Sequence, residues 1–325
     1  MTTTGSPDPS GPSLPVGSGP GQTARRSLMI DCHGIQLRLL EWDGDKGGIP
    51  VVLLHGLASN ARIWELVAPK LVEAGLRPLA PDLRGHGLSD KPQDGYTAQD
   101  MAGDVLALMQ QLDLQHPIIA GHSWGASIAL VLGLLARNGP QAPQGLVLVD
   151  GGVVQADDRP GASWELVRRE LEPPRLAGIS KQEFLSRLQA ADRPWHPGTQ
   201  AADIILANFA QDADGSLSPH LSYEHHMQVV RSIWEFKTYR YFEQLAIPVL
   251  LLPAEPPETD DERAKAFLER KRHGIGQILR RNSQVRVRWM AQSVHDIPLQ
   301  RPDQLAEALI EFGRPWLSGD AEATG

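Results

Sequence analysis

The pentapeptide Gly121-His122-Ser123-Trp124-Gly125 constrains this chain more than any other feature. It follows the apolar run Pro117-Ile118-Ile119-Ala120 and precedes a helix-like stretch over 126–137. A strand that passes through G-x-S-x-G into a helix must turn sharply at the serine. That turn strains the serine backbone and lifts its Oγ clear of the sheet. A Cβ at Gly121 or Gly125 would crowd strand against helix. The helix start also places backbone N–H groups beside Ser123, where negative charge can be stabilised.

The flanking sequence supplies the sheet such a turn needs. Residues 35–42 alternate as a strand, and Ile49-Pro50-Val51-Val52-Leu53-Leu54 is a continuous apolar run, the pattern of a strand buried on both faces. Further strands are expected at 76–80, 145–149, 248–252 and 284–290. Between them, 61–74 has helical spacing with Asn60 as N-cap, and 97–114 is a helix capped by Thr97. Residues 262–281 and 302–312 complete the alternation. The reading is an α/β fold with a mostly parallel sheet and helices on both faces. Residues 153–244 break the pattern. They offer no clear buried strand but several short helical pieces, at 163–171, 181–190 and 221–242. They also carry Trp164, Phe184, Trp195, Phe209, Tyr223, Trp234, Phe236, Tyr239, Tyr241 and Phe242, read as packing that collectively gives a pocket an apolar roof. The expected organisation is a tail over 1–24, a core over 25–152 and 245–317, and a helical cap over 153–244.

Composition narrows the function classes. A net charge of −8 over 325 residues argues against nucleic acid as a partner. The basic run Arg263, Lys265, Arg270, Lys271, Arg272, Arg280 and Arg281 reads as a solvated helix face. A single cysteine, Cys32, excludes an intrachain disulfide and a multi-cysteine metal site. No apolar run has the length of a membrane span. Residues 1–24, rich in Gly, Pro, Ser and Thr, lack the charged and apolar regions of a secretory signal and read as a disordered tail. Residues 318–325 read as a frayed end, and a cytoplasmic location is expected.

A serine nucleophile needs a base and a group that holds the base in the right tautomer. His295, on the loop after the last expected strand, can reach back over the sheet edge on which Ser123 opens. His122 is expected to point away from the site, and His220, His225 and His226 lack metal-ligand spacing. The oxyanion hole calls for two backbone donors. Trp124, after the nucleophile, supplies one, and Leu57, in His55-Gly56-Leu57 after the 49–54 strand, supplies the other. His55 reads as a structural hydrogen-bonder.

With these pieces in place the chain resembles the α/β-hydrolase superfamily over about residues 28–315. The matching segments are Leu54-His55-Gly56-Leu57, the loop from Pro81-Asp82-Leu83-Arg84-Gly85-His86-Gly87 to Leu88-Ser89-Asp90, the Gly121–Gly125 elbow, and His295-Asp296. The resemblance implies an eight-stranded, mostly parallel sheet, a Ser-acid-His triad, a lid between strands six and seven, and no cofactor. It also implies structural roles for Asp82 and Arg84.

The acid is the point of departure. The family's usual carboxylate is an Asp in a Gly-x-x-Asp turn after strand seven, where this chain has Ala254-Glu255-Pro256-Pro257-Glu258. A second arrangement, known in the haloalkane dehalogenase branch, puts the acid after strand six, and Asp150 stands there. Asp150 ranks first, Glu255 second, with Glu258 and Asp260 behind. The loops also resemble the dehalogenase and epoxide hydrolase branch, but those enzymes use an aspartate nucleophile, and a serine alkyl ether would not be hydrolysed. The expectation is therefore a serine hydrolase acting on a carboxylic ester, thioester or lactone with an apolar acyl or aryl group. C–C bond hydrolysis on the same residues and a small-ligand receptor on a retained scaffold are the alternatives. The sequence does not specify an oligomeric state.

Overall fold

The computed structural model describes residues 15–16, 24–190 and 195–317. Most of the expected tail, and the 318–325 end, lie outside the described residues. The strands are β1 (Pro15–Val16), β2 (Arg25–Cys32), β3 (Ile35–Trp42), β4 (Ile49–Leu54), β5 (Leu76–Pro81), β6 (Ile118–His122), β7 (Gly145–Val149), β8 (Val249–Leu252) and β9 (Val285–Val287). They form one sheet in the order β1-β2-β3-β5-β4-β6-β7-β8-β9. The β1, β2, β3 and β5 pairings are antiparallel. From β5 through β9 every pairing is parallel. β2–β9 make up the expected eight strands, with the two-residue β1 added at the edge.

The apolar runs explain the centre of this sheet. β6 and β7 are buried along their whole length, with one core cluster on each face. Crossovers run through α1 (Ala68–Glu73), α2 (Ala98–Gln111) and α3 (Trp124–Leu135). Thr97 and Asp100 close a capping box at the start of α2, satisfying backbone donors that would otherwise be orphaned. Between β7 and β8 lie α4 (Trp164–Leu171), α5 (Lys181–Ala190), α6 (Gln200–Leu206), α7 (Tyr223–Glu235) and α8 (Thr238–Phe242). Then α9 (Glu262–Leu279) precedes β9, and α10 (Ile297–Gln300) and α11 (Pro302–Leu317) end the chain. Among the described residues no helix is long and apolar enough to cross a membrane.

Three local readings differ from expectation. The 61–74 segment is a 3-10 turn, Ala61–Trp64, followed by α1, because Pro69 has no N–H to continue a helix and instead suits a first turn. The 284–290 strand stops at Val287, and Met290–Ala291 pairs separately with Ala254–Glu255. The 153–244 segment is not purely helical: Ile179–Ser180, Ser216–Pro219 and Phe209–Gln211 make a small antiparallel sheet.

Parallel register fixes where the loops meet. Leu54 pairs with Gly121, His122 with Val149, and Val149 with Leu252, so the carboxyl ends of β4, β6, β7 and β8 share one edge. Asp82, fully buried beyond β5, anchors that edge through Arg38 Nη1 at 2.9 Å and the amides of Ala61 at 2.7 Å and Leu88 at 2.9 Å. Burial alone would raise its pKa, but Arg38, His55 and these amides hold it below the usual carboxylate range. Arg84 pairs with Asp104 at 2.5 Å through two nitrogens, also away from Ser123.

The turn from β6 into α3 depends on bare backbone. A Cβ on Gly125 would lie 2.5 Å from the Leu54 carbonyl oxygen and 2.6 Å from that of His55, and one on Gly121 would lie 2.2 Å from the Gly125 oxygen. These are backbone atoms of packed elements and cannot rotate away. Gly125→Ala is expected to lower stability by about 2–3 kcal/mol or more. Gly139→Ala, where an added methyl meets nothing within 4 Å, should change it little. Urea unfolding of the two variants checks the difference.

Candidate active site

Ser123 occupies the corner between β6 and α3 with φ +55° and ψ −118°, a region non-glycine residues rarely enter. Its N–H donates to the Val149 carbonyl at 2.9 Å, which ties the corner to the end of β7. Asp150 follows Val149 directly and is itself at φ +41°. Both side chains are therefore aimed by local backbone held in a sparsely populated conformation. His295 arrives on the loop after Met290–Ala291 and before α10.

The three side chains meet. Ser123 Oγ lies 2.9 Å from His295 Nε2, and His295 Nδ1 lies 2.7 Å from Asp150 Oδ2. With Asp150 ionised, Nδ1 carries the proton and donates to it, leaving Nε2 free to accept the Ser123 hydroxyl. Of the other acids considered, Glu255 faces Arg272 at 3.3 Å, while Glu258 and Asp260 are exposed. None of the three is hydrogen-bonded to His295. Ala254 N donates to Asp150 Oδ1 at 2.8 Å, so the turn after β8 braces the Asp150 carboxylate at the end of β7.

Asp150 has another partner that the sequence reading placed on a solvated surface. Lys271 is 5% exposed, and its Nζ lies 2.6 Å from Asp150 Oδ1 and donates to the Ala254 carbonyl at 3.1 Å. The signal was present in the helix period. Lys271, Gly274, Ile275 and Ile278 are the buried positions of α9, spaced as one face. Gly274 lets that face close on the sheet, since a Cβ there would lie 1.9 Å from the Val153 carbonyl oxygen. Burial alone would raise the Asp150 pKa, but His295 and Lys271 lower it below the usual range. The surroundings of His295 disfavour its charged form, yet the Asp150 bond and charge outweigh them and raise its pKa, with Lys271 opposing.

His122 also departs from expectation. Its ring turns toward the site, 4.9 Å from the His295 ring, and Nε2 lies 2.9 Å from the His295 carbonyl oxygen. Burial, then the His295 charge, push its pKa down to about 4, so it is neutral and donates from Nε2. The result is a clamp on the loop that carries His295. His55 behaves as read: Nδ1 donates to the Gly56 carbonyl at 2.8 Å and Nε2 accepts from Leu83 N at 3.0 Å. Among the described residues the backbone N–H groups of Leu57 and Trp124 have no protein acceptor, and both residues border a cavity with Ser123.

Ser123, His295 and Leu57 stand between two cavities. The smaller, about 360 Å³, is walled by Ile63, Leu188, Trp195, Ile204, Ile205 and Leu299. The larger, about 760 Å³, runs under α4 and α9 and includes Trp124, Val153, Val167, Arg159, Arg270 and His226. Of the ten aromatics expected to roof the pocket, Trp195 alone borders either cavity; Phe184 and Phe209 pack on each other, and Phe236 packs on Trp124 and Tyr241. The roof is largely aliphatic. A separate open groove of about 800 Å³ beside Glu255 and Arg272 does not reach Ser123. Among the described residues no cluster of three or more His, Cys, Asp or Glu side chains is placed to hold a metal ion.

Comparison with known proteins agrees with this architecture. The family model for the alpha/beta hydrolase fold matches residues 49–181. The 2-(acetamidomethylene)succinate hydrolase of Mesorhizobium japonicum is 30% identical over 249 residues, 76% of this chain and 84% of that protein. The AB hydrolase superfamily protein YisY of Bacillus subtilis is 31% identical over 158 residues, 46% of this chain, which spans 58% of YisY's length. Among solved structures, the thioesterase domain from the curacin biosynthetic pathway superposes with a TM-score of 0.67 at 19% identity, over 89% of this chain and 99% of that one. The elbow, the sheet order and these matches lead to one statement: the chain belongs to the α/β-hydrolase family.

Proposed function

We propose that this chain is a serine hydrolase that cleaves a carboxylic ester, thioester or lactone through an acyl-serine intermediate. The observation that carries the reading is the continuous line from Ser123 Oγ through His295 to Asp150, at 2.9 and 2.7 Å. In this reaction Ser123 Oγ attacks the carbonyl carbon while His295 Nε2 takes its proton. Asp150 stabilises the imidazolium that forms. The oxyanion accepts from the Leu57 and Trp124 amides, each donor of this kind contributing about 2.7–4 kcal/mol. His295 returns the proton to the leaving alcohol or thiol as the tetrahedral intermediate collapses. Water then enters, His295 acts as base again, and the acid product departs.

Residues 153–244 form the cap of this enzyme, and the smaller cavity beneath it suits an apolar acyl or aryl group. The relative named as a hydrolase of 2-(acetamidomethylene)succinate supports turnover over a purely ligand-binding role.

Two experiments test the assignment. A fluorophosphonate probe should label the wild type and fail to label Ser123→Ala or His295→Ala. Absence of labelling in folded wild type would overturn it. Asp150→Asn should lower kcat/KM by about 10³–10⁴-fold, whereas Glu255→Gln should leave it near wild type.

The pH profile tests the electrostatics. His295 is a base only when neutral, and its raised pKa puts the acid limb of kcat/KM above the ordinary histidine value of 6.5. Lys271 opposes that shift, so Lys271→Met should move the acid limb to higher pH as well as lower the plateau. Asp150→Asn should move it to lower pH. A Lys271→Met profile with an unmoved limb would show that the ammonium does not act on His295.

A further inference from the structure

The larger cavity beside Ser123 has three cations and three carboxylates on its wall, but they are not paired one to one. Of the ionisable groups on its wall, Lys271 is matched to Asp150. Arg159 is bound to Glu170 through both terminal nitrogens, at 3.2 and 2.6 Å. Glu172 accepts the Tyr223 hydroxyl at 2.7 Å and has Arg168 at 3.9 Å. Arg270 has no carboxylate within ion-pair distance among the described residues. Its guanidinium lies 5.2 Å from the centre of the Phe267 ring.

Arg270 and Arg159 are near enough to repel. Burial, then the Arg159 charge, lower the Arg270 pKa, and Glu170 only partly offsets them. Arg159 adds a second unmet donor, its buried Nε, which has no hydrogen-bond partner. Two guanidinium groups thus share one carboxylate on the wall of a concave site that includes Ser123 and His295. A planar anion placed there would relieve the repulsion and use donors the protein leaves open.

We infer that Arg270, with Arg159 beside it, is an anion subsite, and that the substrate carries a carboxylate on the part that fills the larger cavity. Its apolar part fills the smaller one, with the scissile carbonyl between them at Ser123. This assignment rests on Ser123 as the nucleophile and names the substrate class of that reaction, an ester or thioester that is apolar at one end and carboxylate-bearing at the other.

The test compares kcat/KM for matched substrates at low salt. One series is the p-nitrophenyl monoesters of linear dicarboxylic acids of increasing length, each against its terminal-amide isostere. A second series puts the carboxylate on the alcohol side, with acetyl esters of ω-hydroxy acids against their amides. Wild type should favour the acid over the amide by about 10–100-fold at the best length in one series, and added salt should shrink that ratio. Arg270→Met, which keeps an apolar stem, should bring the ratio toward one. Glu170→Gln, which frees Arg159, should raise it. A wild-type ratio of one or less in both series, or a ratio unchanged in Arg270→Met, overturns the subsite. If folded wild type hydrolyses neither series, fluorophosphonate labelling decides the nucleophile assignment, and calorimetric binding of the same pairs decides the subsite. Acid-selective binding that is lost in Arg270→Met supports it, and equal binding of acid and amide overturns it.

Discussion

The buried carboxylate of Asp150 accepts from three donors on three separate segments: His295 Nδ1, Lys271 Nζ and the Ala254 amide. Asp150 itself closes β7, so a single side chain joins four parts of the fold that are distant in sequence. An ion this deep is tolerated because each oxygen is met, and removing one partner of such a pair costs about 3–5 kcal/mol. The geometry of the site follows from this. The loop after β8 bends inward to present Ala254 N, α9 lies close enough for Lys271 to reach, and His295 is held with Nε2 toward Ser123.

Close backbone approach makes that arrangement possible. Gly125 lets α3 start against the end of β4, and Gly274 lets α9 settle on Val153. In each case the missing side chain sets a distance between elements, and that distance puts a functional group within hydrogen-bond range. His122 works in the same direction from the other side, pinning the main chain at His295 while Asp150 holds the ring.

The parts of the site legible in sequence were those fixed by local pattern. The elbow located Ser123 and the Trp124 amide, the His55-Gly56-Leu57 turn located the second amide, and position after the last strand located His295. Asp150 was ranked above Glu255 without being separated from it, because only the folded backbone shows that His295 Nδ1 and Ala254 N meet Asp150. Lys271 was lost by treating the basic residues of α9 as one set. Its spacing to Ile275 and Ile278 marks it as inward, but no sequence pattern says that a carboxylate waits there. The small sheet in the 153–244 segment was missed since its strands are two to four residues long, though the Asp212–Gly215 turn, with Gly215 at φ +84°, was a hairpin signal. The aromatics were read as packing that collectively roofs a pocket; Phe184 and Phe209, and Phe236 and Tyr241, do pack on one another, but Trp195 alone borders either cavity, which composition cannot distinguish.

The Asp150–Lys271 pair changes the charge balance of the whole ensemble. At rest it holds one carboxylate, one ammonium, a neutral imidazole and a hydroxyl, summing to zero. When the proposed reaction moves a proton from Ser123 to His295, the new cation is matched by the new oxyanion, and the sum is still zero. A triad without the lysine would carry a net negative charge throughout and would depend on the surrounding dipoles to offset it. Here the cluster presents no monopole at any stage. Distant charges and bulk ions therefore have little purchase on the chemical step itself.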